Sequence, residues 1–243
     1  MNDLKDTLLH ALSHDLKGSI TAIIGSAQSL ARGEQLQLSE EQRAGLVNAI
    51  SVSGKKLNRL VNDLLDLERL DRDLIEPDRA PTDVTALARR IVDEADFLAE
   101  HPVRVIGEPA VVSVDAGKVE RILENLLANA ARHTPIGTPV LVTVGPKKDG
   151  ITLSVEDEGP GVPEDLKATI FQPFRQGADA RTSGAGAGIG LSLVQKFAEL
   201  HGGTAWVEDR PGGGTAFRVF LSGVVAKPTT PSVQIASASA VSR

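Results

Sequence analysis

The sequence predicts a two-part fold. An all-α helical hairpin, suited to pair into a dimeric four-helix bundle, is followed by an α+β layered domain. Three observations carry this. Through residue 72 the apolar side chains recur at three- and four-residue steps. A charged stretch, Leu70–Pro81, then carries Pro77 and Pro81 and reads as a linker. Beyond it, helix-period and strand-period segments mix, some strands adjacent in sequence, which suggests helices on one face of a sheet.

The elements follow in order. Leu8, Leu12, Leu16, Ile20, Ile23, Ala27 and Leu30 form one stripe. Gly33 and the polar stretch Glu34–Ser39 break it, and Ser39 is a helix N-cap with Glu40 and Glu41 in the favourable first turn. Leu46, Ile50, Ser53, Leu57, Leu60, Leu64 and Leu67 form a second stripe. One hairpin buries two such stripes poorly, and four helices bury them well, so a homodimer is expected. A monomeric hairpin packed on the rest of the chain is the alternative. Residues 83–99 read as a helix, Val103–Ile106 and Val111–Val114 as short strands, and Asp115 caps a helix running to about Arg132. Pro139–Val144 and Ile151–Glu156 are neighbouring strands around Lys147–Gly150. Residues 158–187 are rich in Gly, Pro and Ala and hold few strong elements. Gly188–Leu200 is helical, and Thr204–Val207 and Thr215–Leu221 are strands. His201, at a helix end, reads as a cation facing the helix dipole. The expected domains are 1–72 and 73–225, with a disordered tail at 226–243.

Composition excludes several classes. The 243 residues hold 26 Lys and Arg against 32 Asp and Glu, a formal charge of −6, which argues against a general nucleic-acid binder. With no cysteine there is no disulfide scaffold, thiolate zinc site or cysteine nucleophile. Aromatics are 3%, so the core must come from Leu, Val, Ile and Ala. No apolar run approaches the roughly 18 residues of a membrane span, and the N-terminus is no signal peptide. A soluble, cytoplasmic chain without membrane contact of its own is expected, with a fragment of a longer membrane-bound protein as the accompanying reading.

Three segments carry candidate chemistry. Gly184–Leu191 precedes a helix, where glycines let backbone N–H groups approach phosphate oxygens. It fits neither a G-x-G-x-x-G fingerprint nor a G-x-x-x-x-G-K-[ST] loop, so a merely flexible loop stays open. Asp157 stands at a strand end before Gly159 and Gly161. It is either an acceptor for an exocyclic amine beside room for a flat base, or part of an ordinary acidic turn. Asn125 and Asn129, four apart, share one helix face with Arg132. Amide oxygens suit Mg²⁺ and an arginine suits phosphate, though both amides can instead cap neighbouring backbone.

The order of these segments resembles the ATP-binding domain of sensor histidine kinases. The residues are Asn125-Leu-Leu-Ala-Asn129-Ala, Asp157-x-Gly159-x-Gly161, Phe171-Gln-Pro-Phe174, Gly186-x-Gly188-x-Gly190-Leu191 and Gly214-Thr215. Ala11-Leu12-Ser13-His14-Asp15-Leu16-Lys17 resembles the family's phosphoacceptor box; without the other segments His14 would read as a surface histidine. Leu60–Asp66 and Glu158–Gly161 resemble the KdpD-type members.

The resemblance implies a Bergerat-fold sandwich binding ATP and Mg²⁺ under a mobile lid. It implies that Asp157 reads the adenine amine, with Gly159 and Gly161 shaping the base pocket. Phe174, Leu191 and Thr215 fall in its nucleotide-binding boxes. Asn129 would hold Mg²⁺ with Asn125 near the metal or phosphates. Arg132 and the backbone around Gly186, Gly188 and Gly190 would hold the phosphates. His14 would accept the phosphoryl group, with Asp15 orienting it or taking its other ring proton, and pass it to a response regulator. The chain departs from the family where Gly18-Ser19 replaces the usual Thr-Pro. Weak phosphatase activity is therefore expected. Two rival readings remain: a degenerate nucleotide-binding module, and an ATPase of the gyrase and chaperone kind.

Overall fold

The computed structural model describes residues 2–33, 35–72, 74–173, 188–223 and 225–226, with side chains from Leu16 to Gly223 within those ranges. The expected tail from residue 227, Phe174 and Gly186 lie outside the described residues, as do the side chains of His14 and Asp15.

Helix α1 spans Asn2–Ala31 and α2 spans Glu40–Asp71. The turn between them ends in a reciprocal cap: Ser39 Oγ accepts from Gln42 N–H, and Gln42 Oε1 accepts from Ser39 N–H. Helix α1 runs unbroken through Gly18, where a side chain would meet nothing within 4 Å. The hairpin leaves Ile20, Ile24, Val47, Val52, Val61 and Leu65 exposed.

Part of the expected linker is a strand. β1 (Ala80–Asp83) leads into α3 (Val84–Glu94), whose first turn is capped by the Asp83 carboxylate. β2 (Val103–Ile106), β3 (Val111–Val114), α4 (Ala116–His133), β4 (Val140–Lys147) and β5 (Gly150–Asp157) follow. A single turn, α5 (Glu164–Lys167), precedes α6 (Gly190–Leu200), β6 (Thr204–Asp209), β7 (Thr215–Ser222) and β8 (Val225–Ala226).

The described strands form two sheets. The larger runs β2-β4-β5-β7-β6, parallel only at β2–β4. The smaller runs β1-β3-β8, with Ala226 opposite Val111, so pairing continues one residue into the expected tail. The short strands β2 and β3 are therefore split between sheets, a separation no local pattern encodes.

The core lies between the larger sheet and α3, α4 and α6. Val119, Ile122, Leu123, Leu126 and Leu127 of α4 are fully buried, as are Ile151, Leu153 and Val155 of β5. Phe197 and Phe217 are the largest side chains wholly inside.

The reading of His201 as a helix-end cation is corrected. It is fully buried; Nδ1 donates to the Phe197 carbonyl at 2.7 Å and Nε2 accepts from Asp115 N–H at 3.0 Å. An acceptor nitrogen carries no proton, so the ring is neutral. Burial pushes its pKa down, aided by Arg79 and opposed by the Phe197 hydrogen bond and Asp115. The ring ties the end of α6 to the start of α4.

Candidate nucleotide site

Strand alternation sets Asp157. Ile151, Leu153 and Val155 point inward along β5, and the period of two puts Asp157 in the same row. Its carboxylate is 3% exposed. Oδ1 accepts from Gly159 N–H at 2.9 Å. Burial raises its pKa; the N–H groups of Gly159 and Thr215, then His133 and Arg210, pull it back. A buried carboxylate with a raised pKa gains from any further donor, which an exocyclic amine supplies.

Two glycines leave this end open to the backbone. A first side-chain carbon on Gly159 would sit 2.9 Å from both Asp157 Oδ1 and the His133 carbonyl, and 3.1 Å from Thr134 Cγ2. Gly214 has φ +99°, and a side chain there would strike the Asp157 carbonyl. Thr215, next in chain, is buried and pairs opposite Asp157. Gly161, also at positive φ, faces Gly214.

Helix α4 forms the wall of the site. Its C-terminal end lies against Gly159, and the exposed Arg132 and His133 are in its last turn. Two turns earlier, about 12 Å along the axis, Asn125 lies against the first residue of α6. A side chain on Gly190 would approach Asn125 Oδ1 to 3.0 Å. Half-buried Asn129 lies between these ends. One end thus presents a buried carboxylate under glycines. The other presents amides beside a helix N-terminus, where backbone N–H groups and the helix dipole favour anions. Gly188 enters α6 with φ +70°, and Leu191 packs against the core.

Asn125 is unusual. It is 9% exposed, its Oδ1 accepts from Arg59 Nη2 of α2 at 3.2 Å, and its buried Nδ2 has no hydrogen-bond partner among the described residues. Such an orphan amide fits a site that completes its bonding with a ligand. The amide oxygens of Asn125 and Asn129 fit Mg²⁺, which takes few protein ligands and keeps waters and phosphate oxygens.

Sequence reasoning missed the partner of this wall. Arg59, Asp63 and Asp66 of α2 face Asn125, Arg121 and Lys118 of α4 in antiparallel order: Arg59 to Asn125, Asp63 to Arg121, Asp66 to Lys118 at 3.3 Å. Lys196 of α6 pairs with Asp71 at 3.0 Å. The signal was the i, i+4, i+7 spacing of opposite charges on α2, which meant nothing until a partner helix was placed. Burial raises the pKa of Asp63 despite Arg121 and Arg59.

Comparison with known proteins agrees with this architecture. Residues 4–73 match the model of the His Kinase A (phospho-acceptor) domain. Residues 114–223 match that of the histidine kinase-, DNA gyrase B- and HSP90-like ATPase. The sensor protein KdpD of Mycobacterium tuberculosis is 35% identical over 93% of this chain and 27% of its own length. The circadian input-output histidine kinase CikA of Synechococcus elongatus is 33% identical over 90% of this chain and 30% of its own. Full-length ShkA, solved in complex with AMPPNP, superposes with TM-score 0.62 at 29% identity, covering 90% of this chain and 46% of that one.

These matches define a phosphoacceptor hairpin joined to a nucleotide-binding sandwich. The chain belongs to the sensor histidine kinase family, with KdpD proteins among its relatives. It spans about a quarter of the length of such relatives. Among the described residues, no helix is long and apolar enough to cross a membrane.

Proposed function

We propose that this chain is the catalytic core of a two-component sensor histidine kinase. It acts as a homodimer that autophosphorylates on His14 from ATP and passes the phosphoryl group to an aspartate of a response regulator. The observation that carries this is the polarity of the α4 wall, with Asp157 beneath glycines at one end and Asn125 against the α6 N-terminus at the other. The reading places this part of the protein in the cytoplasm.

Phosphoryl transfer depends on positioning and charge neutralisation more than on covalent help from the protein. Asp157 accepts the adenine amine, and Gly159, Gly161 and Thr215 leave room for the ring. Asn129, with Asn125, holds Mg²⁺, which when bound neutralises phosphate charge. The family resemblance gives the phosphate chain to Arg132 and the backbone around Gly186–Gly190, and counts Phe174 and Leu191 among the nucleotide-binding residues. The neutral imidazole of His14 attacks the γ-phosphorus, the bond to the ADP oxygen breaks, and the other ring proton passes to Asp15 or to solvent. The exposed apolar residues of α1 and α2 support dimerisation, since a second hairpin would cover them. Asn125 leaves no carboxylate to activate water where the related ATPases carry one, which disfavours simple ATP hydrolysis.

The test is incubation with Mg²⁺ and γ-labelled ATP beside His14→Gln. Acid-labile, base-stable label on the wild type alone is expected. Absence of label with ATP still bound would overturn the kinase reading in favour of a degenerate binding module. Steady ATP turnover without labelled protein would favour the ATPase. Because Gly18 offers no side chain to orient water, phosphatase activity toward the regulator is expected to be weak. Rapid dephosphorylation of a purified cognate regulator, abolished by changing Asp15, would refute that.

A further inference from the structure

The hairpin and the nucleotide domain meet along a row of opposite charges that ends on the nucleotide site. From the C-terminal side of α2, Asp66 meets Lys118 and Asp63 meets Arg121; one turn further, Arg59 reaches Asn125. Leu60, Leu67 and Leu70 are buried beside this row, so the contact is partly apolar as well as ionic.

The last contact differs from the others. Arg59 does not end on a carboxylate across the joint. Its guanidinium, in the field of Asp63 on its own helix, donates to the amide oxygen that stands against Gly190 at the start of α6. That oxygen is what a dication would need, and a guanidinium hydrogen-bonded to it opposes the dication twice: it occupies a lone pair and brings like charge. Among the described residues, the enclosed Asn125 Nδ2 has no hydrogen-bond partner in this docked arrangement.

Height along the hairpin adds to the point. His14 lies 17 residues before the end of α1, and Arg59 lies 19 residues after the start of α2. With a rise of about 1.5 Å per residue, the two stand within one turn of the same level. The joint therefore lies where the phosphate end of the site would have to approach the phosphoacceptor.

We propose that Arg59 is a built-in competitor for the phosphate end of the site. While α2 is docked on α4, it holds the Asn125 oxygen, and docking and Mg²⁺–nucleotide binding weaken each other. The proposal rests on the nucleotide-site reading above and assigns that site a regulator within the same chain. Linkage makes the effect reciprocal: nucleotide loosens the joint by the same factor by which the joint weakens nucleotide.

The experiment titrates the full chain with Mg²⁺ and AMPPNP, which it cannot consume, using calorimetry. The variants are Arg59→Gln, Asp66→Asn and Asp157→Asn, each checked for an unchanged melting transition. Arg59→Gln should bind about fivefold or more tightly than wild type. Asp66→Asn, which loosens the row without touching Asn125, should also bind more tightly but by less. In the wild type, amide exchange through the α2 segment 59–67 should rise on adding Mg²⁺–AMPPNP. Equal or weaker binding by Arg59→Gln, or exchange unchanged by nucleotide, overturns the proposal. Weaker binding would instead make Arg59 a phosphate ligand. Asp157→Asn separates the two levels: if it binds as tightly as wild type, the site reading itself fails, whatever Arg59 does.

Discussion

The hairpin and the sandwich solve the same problem differently. Both present leucine-rich helices, yet Leu126 of α4 is 0% exposed and Ile24 of α1 is 50% exposed. Helix α4 has a sheet beneath it, while among the described residues α1 packs chiefly on α2. A two-helix layer has no second face to cover its apolar stripe, so much of that stripe awaits another hairpin. The sandwich closes its core within one chain; the proposed homodimer would close the rest of the hairpin's.

Truncation tests that contrast most directly. Leu126→Ala should cost about 2–5 kcal/mol, independent of protein concentration, in chemical unfolding monitored by circular dichroism. Ile24→Ala should instead act through assembly. Its effect should appear as a shift toward monomer in sedimentation and shrink as concentration rises. An Ile24→Ala effect that ignores concentration would break the comparison and leave α1 packed within its own chain.

Within the sandwich, stability and binding should separate at Asp157. Asp157→Asn removes a charge-assisted acceptor and should weaken ATP binding about 10- to 100-fold. The sign for stability is opposite. A carboxyl whose folded pKa is raised adds stability below its ordinary range and loses it as pH rises, so at neutral pH the ionised group is a cost. The variant should therefore melt no lower than wild type at pH 7. A variant that binds normally but melts lower would make Asp157 a structural residue.

The smallest expected effect concerns His201. Its folded pKa lies below the ordinary value of 6.5, so the neutral ring's contribution is whole above that pH. It is lost as pH falls from there through the lowered folded value. Melting temperature should drop over this window, and His201→Gln should flatten the drop. An identical slope in the variant would assign the acid sensitivity to other groups.

The helices were legible because their cause is local. The Ser39 cap, the Asp115 cap and the apolar periods of α2 and α4 need only neighbours within a few residues. Strands β2 and β3 were legible as strands, but their separation into two sheets was not. β1 was hidden in Ala80-Pro81-Thr82-Asp83, where the stretch read as linker up to Pro81 meets the helix read from Asp83, and its pairing partner β3 lies about 30 residues away. His201 was misread because a histidine before two glycines looks exposed, and only the packing of α6 on the start of α4 removes it from water.

The site divides in the same way. Asp157, Gly159, Asn125 and Gly190 were picked out of the sequence as candidates, since glycines beside polar groups stand out in a leucine-rich chain. Their arrangement along α4 was not readable, because it depends on which residue of α6 abuts which turn of α4. Arg59 was invisible for the same reason: one charge among many on an exposed stripe has no meaning until another helix lies against it. By itself the sequence determined the two helices of the hairpin, the layered class of the second domain and the types of residue proposed for its chemistry, because periodicity, capping and backbone freedom act over short range. Only the tertiary structure decided which strands share a sheet, that His201 is neutral, and that a cation of the hairpin rests on the amide of the nucleotide site, because burial and long-range pairing set those outcomes.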